Sequence, residues 1–260
     1  MKTRVGIVVP TLGKRPDYLE QCLRSIRAAG QAHILLVTPP SLDITAISSA
    51  GLADSVVTEV GTGLPSALNQ GIKSLPSSIE FVNWLGDDDL LGRGSLSACT
   101  EVLDSREDVV MVFGSCDYVD SHGNVVWTNH SGQWAASLLR FGPDLIPQPG
   151  ALFRRSTFDE IGGLKPDLGW AFDFDLFIRF SKVGKLIYLN RTVAQFRWHP
   201  GSLSVEHRKK SVAEAGKVRV SHLPAWLRPI SFLWEQPVRQ ATLVAGRLLT
   251  AKAESGAQRY

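Results

Sequence analysis

The first forty residues alternate between apolar runs and one amphipathic segment. Val5–Val9 is a continuous apolar run that ends at Pro10, and Ile34–Val37 is a second such run. Between them, apolar residues recur at helical spacing from Pro16 until Gly30. Continuous apolar runs are typical of strands that are covered on both faces, and two strands joined by a helix form a parallel βαβ unit. The sequence therefore predicts an α/β fold with an open sheet, which binds ligands beyond the carboxyl ends of its strands.

An acidic run follows a later buried strand. Phe81–Leu85 is mostly apolar, and Asp87-Asp88-Asp89 comes one residue after it. Adjacent carboxylates repel one another and resist desolvation, so they need a cation or water. One interpretation is a Mg²⁺ or Mn²⁺ site shared with substrate phosphates, because hard oxygen ligands suit these ions. The other is a solvated turn in which an Asp caps the helix predicted at Gly94–Leu103.

A second acidic cluster opens another predicted helix. Asp173 and Asp175 alternate with aromatic residues between Trp170 and Phe177. As first-turn carboxylates they could cap the helix and complement its dipole. Alternatively, a carboxylate against an apolar wall has a raised pKa and can act as a general base. In that interpretation one Asp is the base and the other holds a backbone amide or Arg179.

Composition narrows the class of protein. The chain has 260 residues, which suits one large α/β domain or one domain with a tail. The net charge of +3 is too small to argue for a nucleic-acid partner. Three cysteines without a CxxC pair make a disulfide framework or a zinc site improbable. With neither a signal-peptide pattern nor a run long enough to span a bilayer, we expect a cytoplasmic protein.

The composition of the chain changes beyond Val205, where a basic segment begins. We predict one domain over residues 1–205 and a basic, amphipathic helical extension over residues 206–260. The extension mixes aromatic residues such as Trp226 and Phe232 with Arg228 and Arg239. It could lie on the inner face of a membrane as a peripheral contact. It could equally pack back on the domain or form a homodimer.

Six stretches, taken in order, carry a resemblance to a known family. The stretches are Val5–Ile26, Gly63–Ile72, Phe81–Leu91, Val109–Val125, Gln148–Gly163 and Ala171–Ser204. Together they cover about the first four-fifths of the chain, and through them the chain resembles a family 2 glycosyltransferase of the GT-A fold. This resemblance implies a Rossmann-like nucleotide-binding half, a mixed and mostly parallel central sheet flanked by helices, and a helical C-terminal extension.

The resemblance also implies a reaction. An inverting glycosyltransferase moves a sugar from a UDP-, dTDP- or GDP-linked donor to an acceptor hydroxyl by a single displacement that depends on Mn²⁺ or Mg²⁺. The acceptor would be a saccharide or a lipid-linked saccharide in cell-surface polysaccharide synthesis. Asp173 falls at the position of the catalytic base. The implied metal ligands are Asp88, assisted by Asp89, and His199 in the tail that follows the sheet.

We predict contacts to the nucleotide sugar at seven positions, of which Asn69 could equally be a surface residue and Thr38 departs from the family pattern. Thr38 and Pro39 stand where the family has an acidic pair, which supports an alternative function as a catalytically silent nucleotide-sugar or glycan-binding protein. A nucleotidyltransferase is less favoured, because the loop after the first strand has a single glycine. The seven positions are Pro10, Thr11, Thr38, Asn69, Asp87, Asp88 and Gln148.

Overall fold

The computed structural model describes residues 3–43, 51–198 and 207–257. The N-terminal half alternates strands with helices, as the apolar runs predict. Its strands and helices, in chain order, are β1 Val5–Pro10, α1 Pro16–Ala29, β2 His33–Thr38, β3 Ser55–Thr58, α2 Leu64–Ser74, β4 Phe81–Trp84, β5 Leu90–Leu91 and α3 Ser95–Ser105.

The second half contributes longer strands and the C-terminal helices. The turn between β6 and β7 closes through the Gly123 N–H, which donates to the Asp120 carbonyl, and this agrees with the hairpin pattern there. The remaining elements are β6 Val109–Val119, β7 Val125–Asn129, α4 Trp134–Leu138, β8 Leu152–Arg154, α5 Arg155–Glu160, α6 Phe172–Val183, β9 Lys185–Arg197, α7 Arg208–His222, a 3₁₀ turn Arg228–Ile230 and α8 Phe232–Ala257.

Within the described residues, one mixed sheet organises the molecule. Its strand order is β3-β2-β1-β4-β8-β6-β9-β5, with β7 paired to β6. The strands β1 to β4 pair in parallel, and β6 pairs in parallel with β9. Strand β8 runs antiparallel between β4 and β6. The carboxyl ends of β1 and β4 therefore meet at one edge of the sheet, as the βαβ pattern predicts.

Two apolar layers cover the two faces of the sheet. Leu23 and Ile26 of α1 pack with Leu96 of α3 on one face. Leu68 of α2 and Phe177 of α6 pack on the other. Large side chains such as Phe81 and Phe153 are fully buried between these layers. This two-sided cover explains why the central strands consist of nearly continuous apolar residues.

One element differs from its sequence pattern. The two apolar runs in residues 186–189 and 193–196 indicated two strands, whereas the structure has the single strand β9. Its register against β6 shifts between Gly114 and Ser115 and again before Cys116. A Cβ on Gly114 would lie 2.7 Å from the carbonyl oxygen of Arg191. The backbone of β9 therefore approaches β6 closely at this irregularity, where β6 has a glycine. The polar residues between the runs are accommodated within the strand and do not end it.

The C-terminal helices pack against the rest of the chain. Val218 of α7 belongs to the core cluster beside α6, and Leu223 is buried. Arg219 donates to the Gly142 carbonyl at 2.6 Å and forms an ion pair with Glu235 of α8. The predicted domain boundary at residue 205 lies outside the described residues. Among the helices in the described part of the chain, none has the length and hydrophobicity needed to cross a bilayer.

Candidate active site

A cleft of about 740 Å³ opens at the carboxyl ends of β1 and β4. Its walls come from the loop after β1, the acidic run after β4, the loop before β8 and the beginning of α6. The cleft brings the two acidic clusters of the sequence together in one cavity. Residues on its wall that the sequence singled out are Pro10, Thr11, Asp87, Asp88, Asp89, Gln148 and Asp173.

Two carboxylates of the acidic run are held by the loop after β1. The Thr11 hydroxyl donates to Asp87 Oδ2 at 2.6 Å, and the Arg15 guanidinium donates to Asp88 Oδ2 at 2.9 Å. Both loops follow neighbouring parallel strands, so the contact is a direct result of the strand order. The guanidinium offsets part of the repulsion that a run of three carboxylates creates.

Asp89 differs from the other two carboxylates because it is almost fully buried. Its Oδ1 accepts the backbone N–H of Arg197 at 3.0 Å, and the Arg197 side chain donates to the Asp88 carbonyl at 3.0 Å. Burial and the nearby charge of Asp88 raise the pKa of Asp89 well above its usual range, although the Arg197 N–H opposes this shift. Asp89 thus ties the acidic run to the end of β9 through one of its oxygens.

The chemistry of the acidic run fits a divalent cation that is shared with a substrate. Among the residues that the structure describes, no group of three or more His, Cys, Asp or Glu side chains is arranged as a metal site. Mg²⁺-type sites nevertheless often use only one or two protein carboxylates, with substrate phosphates and water completing the ligand set. Asp88 opens onto the cleft and satisfies this minimal requirement. His199, a predicted metal ligand, lies outside the described residues.

Asp173 lies at the beginning of α6 and also lines the cleft. Its Oδ1 accepts the N–H of Phe174 at 2.8 Å. The pKa of Asp173 is raised to about 6, mainly by desolvation; the backbone N–H groups of Phe174 and of Asp173 itself oppose this rise, and the charge of Glu214 adds to it. A carboxylate with this pKa is mostly ionised at neutral pH and can accept a proton from a hydroxyl.

The second acid of the cluster has a structural role. Asp175 is fully buried and accepts hydrogen bonds from Lys165 and Arg179 at 2.7 Å and from His222 at 2.8 Å. Burial alone would raise the pKa of Asp175, but these donors together hold it far below its usual range. The alternating pattern therefore separates into one carboxylate that faces the cleft and one that holds Arg179, as the sequence suggested.

A carboxylate from the C-terminal part of the chain caps the segment that leads into α6. Glu214 of α7 accepts the N–H groups of Gly169, Trp170 and Ala171 at 3.1, 2.7 and 2.7 Å. Three donors on one carboxylate fix this segment firmly, since hydrogen bonds to charged groups are among the stronger ones. Sequence reasoning did not find Glu214, because 43 residues separate it from Ala171 and no local pattern links them.

The loop before β8 contributes one predicted residue and one that was missed. Gln148 lines the cleft and donates to the Asn83 side chain and the Trp84 carbonyl, both at 2.9 Å. Asp144 also opens onto the cleft and accepts the Ile146 N–H at 3.3 Å. Loss of solvent in the cleft and the charge of Asp173 raise the pKa of Asp144. Its only sequence signal was a carboxylate in a Gly-Pro-containing loop, which is common in ordinary turns.

Two predicted donor-binding residues lie away from the cleft wall. Thr38 is 3% exposed at the end of β2, beside the cleft-lining Val37. Asn69 on α2 bridges the backbone of Leu164, donating to its carbonyl at 2.8 Å and accepting its N–H at 2.9 Å. These contacts give Asn69 a clear structural function in joining α2 to the loop before α6.

Comparison with solved structures finds proteins of the same fold. A mannosyltransferase from Pyrobaculum calidifontis, solved in complex with GDP-Man and Mn²⁺, gives a TM-score of 0.63 at 20% identity, over 99% of this chain and 80% of that chain. TarS 1–349 from S. aureus, in complex with UDP-GlcNAc, gives a TM-score of 0.60 at 12% identity, over 98% of this chain and 92% of that chain. No protein-family model and no curated protein matches the sequence.

These likenesses define the class of fold. The chain has a GT-A-like α/β fold, which confirms the fold class predicted from the sequence. At identities of 12 to 20%, similarity establishes the fold and leaves the reaction to be argued from the site.

Proposed function

We propose that this protein is a metal-dependent inverting glycosyltransferase that uses a nucleotide-diphosphate sugar. The observation that carries the proposal is the placement of Asp88 and Asp173 on the walls of one cleft. Its volume of about 740 Å³ lies in the range of sites for ligands of this size. The complexes of structurally similar proteins with GDP-Man and with UDP-GlcNAc support the same donor class.

In the proposed reaction, Asp173 is the general base. Its carboxylate takes the proton of an acceptor hydroxyl, and the resulting oxygen attacks the anomeric carbon of the donor. The bond from that carbon to the diphosphate oxygen breaks, the nucleoside diphosphate leaves, and the configuration inverts. The Phe174 N–H on Oδ1 holds the carboxylate in one orientation throughout this step. A single base is sufficient for a direct displacement.

The acidic run would stabilise the departing nucleoside diphosphate by holding a cation. Asp88 would hold a Mn²⁺ or Mg²⁺ ion, with Asp89 and His199 as the further predicted ligands. When bound, the cation neutralises negative charge on the departing diphosphate. Arg15 lies 2.9 Å from the same carboxylate and can support the phosphate groups from the side of β1. Pro10, Thr11 and Gln148 line the same cleft as proposed donor contacts.

The acceptor and compartment are proposed on separate grounds. The aromatic residues Trp170, Phe172 and Trp198 line the cleft near Asp173 and suit the apolar faces of a sugar. We therefore propose a saccharide or a lipid-linked saccharide as acceptor, in the synthesis of a cell-surface glycan. The three buried free cysteines are consistent with a reducing compartment and support a cytoplasmic location.

Replacement of the base is the experiment that tests this function. Asp173→Asn removes the proton acceptor with little change in shape, so transfer falls by about 10²–10⁴-fold while donor affinity stays within a few-fold. Transfer is followed by nucleoside diphosphate release, and donor binding by calorimetry. The exposed Asp167→Asn in the preceding loop is the matched control. Transfer at the wild-type rate in Asp173→Asn would show that the base is assigned wrongly.

A catalytically silent, sugar-nucleotide-binding protein is the second candidate. Two observations favour it: the Arg15 guanidinium is already paired with Asp88, and Thr38 is buried where an acidic residue was expected. A silent protein would bind the donor but release no nucleoside diphosphate with any acceptor or by hydrolysis. Measurable turnover that depends on Mn²⁺ excludes this candidate.

A further inference from the structure

An exposed apolar stripe runs along α4 and the residues just after it. Trp134, Leu138 and Phe141 are separated by four and three residues, so they lie on one side of the helix. Their exposed fractions are 54%, 41% and 47%. The opposite side of the helix is anchored in the core through the buried Ala135 and Leu139. The helix is therefore held in place with its largest apolar side chains facing outward.

A second exposed apolar group lies at the corner between α7 and α8. Trp226, Ile230, Phe232 and Leu233 have exposed fractions of 73%, 43%, 63% and 63%. The ring of Trp234, which follows directly, contacts Phe141 with the ring centroids 6.4 Å apart. This contact places the corner next to the stripe on α4.

Cations accompany these apolar side chains. Arg140 lies within the stripe, Arg228 lies within the corner, and Lys182 at the end of α6 contacts His222 at 2.7 Å. Desolvation, followed by the charge of Arg140, lowers the pKa of Lys182, as expected for two cations that are near each other. Residues 133–142 and 222–234 contain no Asp or Glu. The nearby Asp175 is fully buried and already neutralised by its own partners.

We propose that this surface, the aromatic–basic face, binds an anionic lipid bilayer. The face consists of Trp134, Leu138, Phe141, Trp226, Ile230, Phe232 and Leu233 together with Arg140, Lys182 and Arg228.

Several physical arguments favour a lipid surface as the partner. Tryptophan and phenylalanine insert favourably at the boundary between lipid headgroups and acyl chains. Each Lys or Arg near an anionic leaflet adds electrostatic attraction to it. A symmetric contact between two copies would instead bring like charges together across the interface. Lys182 lies on the same helix as Asp173, about 14 Å along the axis, so binding would hold the cleft close to the bilayer.

Vesicle sedimentation tests the proposal without any sugar donor, so its failure is distinct from a failure of the proposed function. The full chain is expected to sediment with phosphatidylglycerol-containing vesicles and to remain in the supernatant with pure phosphatidylcholine. Trp226→Ser combined with Phe232→Ser is expected to weaken binding at least tenfold. Arg140→Gln combined with Lys182→Gln is expected to weaken it several-fold and to reduce its salt dependence.

Matched controls come from the far edge of the sheet and from α2. Val60 is 86% exposed beside β3, and Lys73 is exposed near the end of α2. Val60→Ser and Lys73→Gln should leave sedimentation unchanged, and circular dichroism should show that all variants are folded. Equal binding by wild-type and serine variants would overturn the proposal. So would a solution dimer that dissociates in the serine variants, because the face would then join two copies of the chain.

Discussion

Asp173 and Asp175 show how local surroundings shift the pKa values of two identical side chains in opposite directions. They lie in the same turn of α6, yet desolvation raises the pKa of Asp173 to about 6, while hydrogen bonds from His222, Lys165 and Arg179 lower that of Asp175. One carboxylate is thereby suited to exchange a proton near neutral pH, and the other stays ionised. Their roles follow from which side of the helix each one faces.

The raised pKa of Asp173 predicts a specific pH dependence. The base works only when ionised, so kcat/KM for transfer should rise with pH and reach half its maximum near pH 6. Below that value the rate should fall about tenfold per pH unit. Initial rates between pH 5 and 8, with a fixed free Mn²⁺ concentration, measure the profile. A flat profile through pH 6 would contradict the assigned base, and circular dichroism at pH 5 checks that the protein remains folded.

At the scale of single residues, the sequence predicted the acids of the cleft better than the polar residues around it. Asp88 and Asp173 line the cleft because strand and helix ends placed them there, and those ends were visible as the limits of apolar runs. Thr38 and Asn69 do not line the cleft: Thr38 is buried, and Asn69 bonds the distant Leu164, a contact that depends on packing between separate segments. Asp144 was missed for the same reason.

Helix α6 is held by α7 at two points. Glu214 caps the segment that precedes α6, and His222 bonds Asp175 one turn further on. The proposed base, Asp173, lies between these two attachments. The orientation of the base therefore depends on residues that belong to the C-terminal helices, and Glu214 is a positioning residue in this sense.

The Glu214 cap predicts a change in both rate and pH profile. Glu214→Gln removes a negative charge that raises the pKa of Asp173, so the acid limb of the profile should move below pH 6. It also weakens three backbone contacts, and kcat should fall about tenfold. Transfer rates across the same pH range measure both effects, with the exposed Glu160→Gln as control. A lower rate with an unmoved acid limb would indicate a purely structural role.

The buried ion pairs of Asp175 predict a change in stability. Asp175→Asn leaves three donors without a charged partner in a buried site, and we expect a loss of about 3 kcal/mol in the free energy of unfolding at pH 7. Because the folded-state pKa of Asp175 is lowered, this contribution is present above about pH 4 and is lost as the pH falls. Urea unfolding at pH 7 and pH 3 measures it. The exposed Asp159→Asn should change stability by less than 0.5 kcal/mol.

Helices and strands could be predicted from the sequence where the apolar pattern that marks them lies within a short segment of the chain. Helix α1 and strands β1 and β2 match their apolar patterns closely, because each is covered by its immediate neighbours in the chain. Strand β9 was misread as two strands, since pairing along β6 carries the chain through polar residues that would otherwise end a strand. Long-range pairing of this kind has no signature within a short window of sequence.

The whole molecule should respond to its proposed donor nucleotide. A ligand at 100 times its Kd stabilises a folded protein by about 2.7 kcal/mol, which corresponds to a rise in Tm of about 5 °C for a chain of this size. We expect one of UDP, dTDP or GDP with Mn²⁺ to give such a rise. Asp88→Asn should remove the part of the shift that requires Mn²⁺, whereas the exposed Glu107→Gln should keep it. No shift with any of the three nucleotides would contradict the donor class.

The attachment of α6 by α7 has a practical consequence for protein engineering. A chimaera that exchanges everything after β9 for the equivalent region of another protein with this fold would lose Glu214 and His222 in one step. Such a hybrid would keep the acidic run and the loop after β1, but it would lose both contacts that α7 makes with the segment bearing the proposed base. We therefore expect it to transfer sugar slowly. A successful exchange must therefore supply an acid and an imidazole at these two positions, or move the junction beyond residue 222.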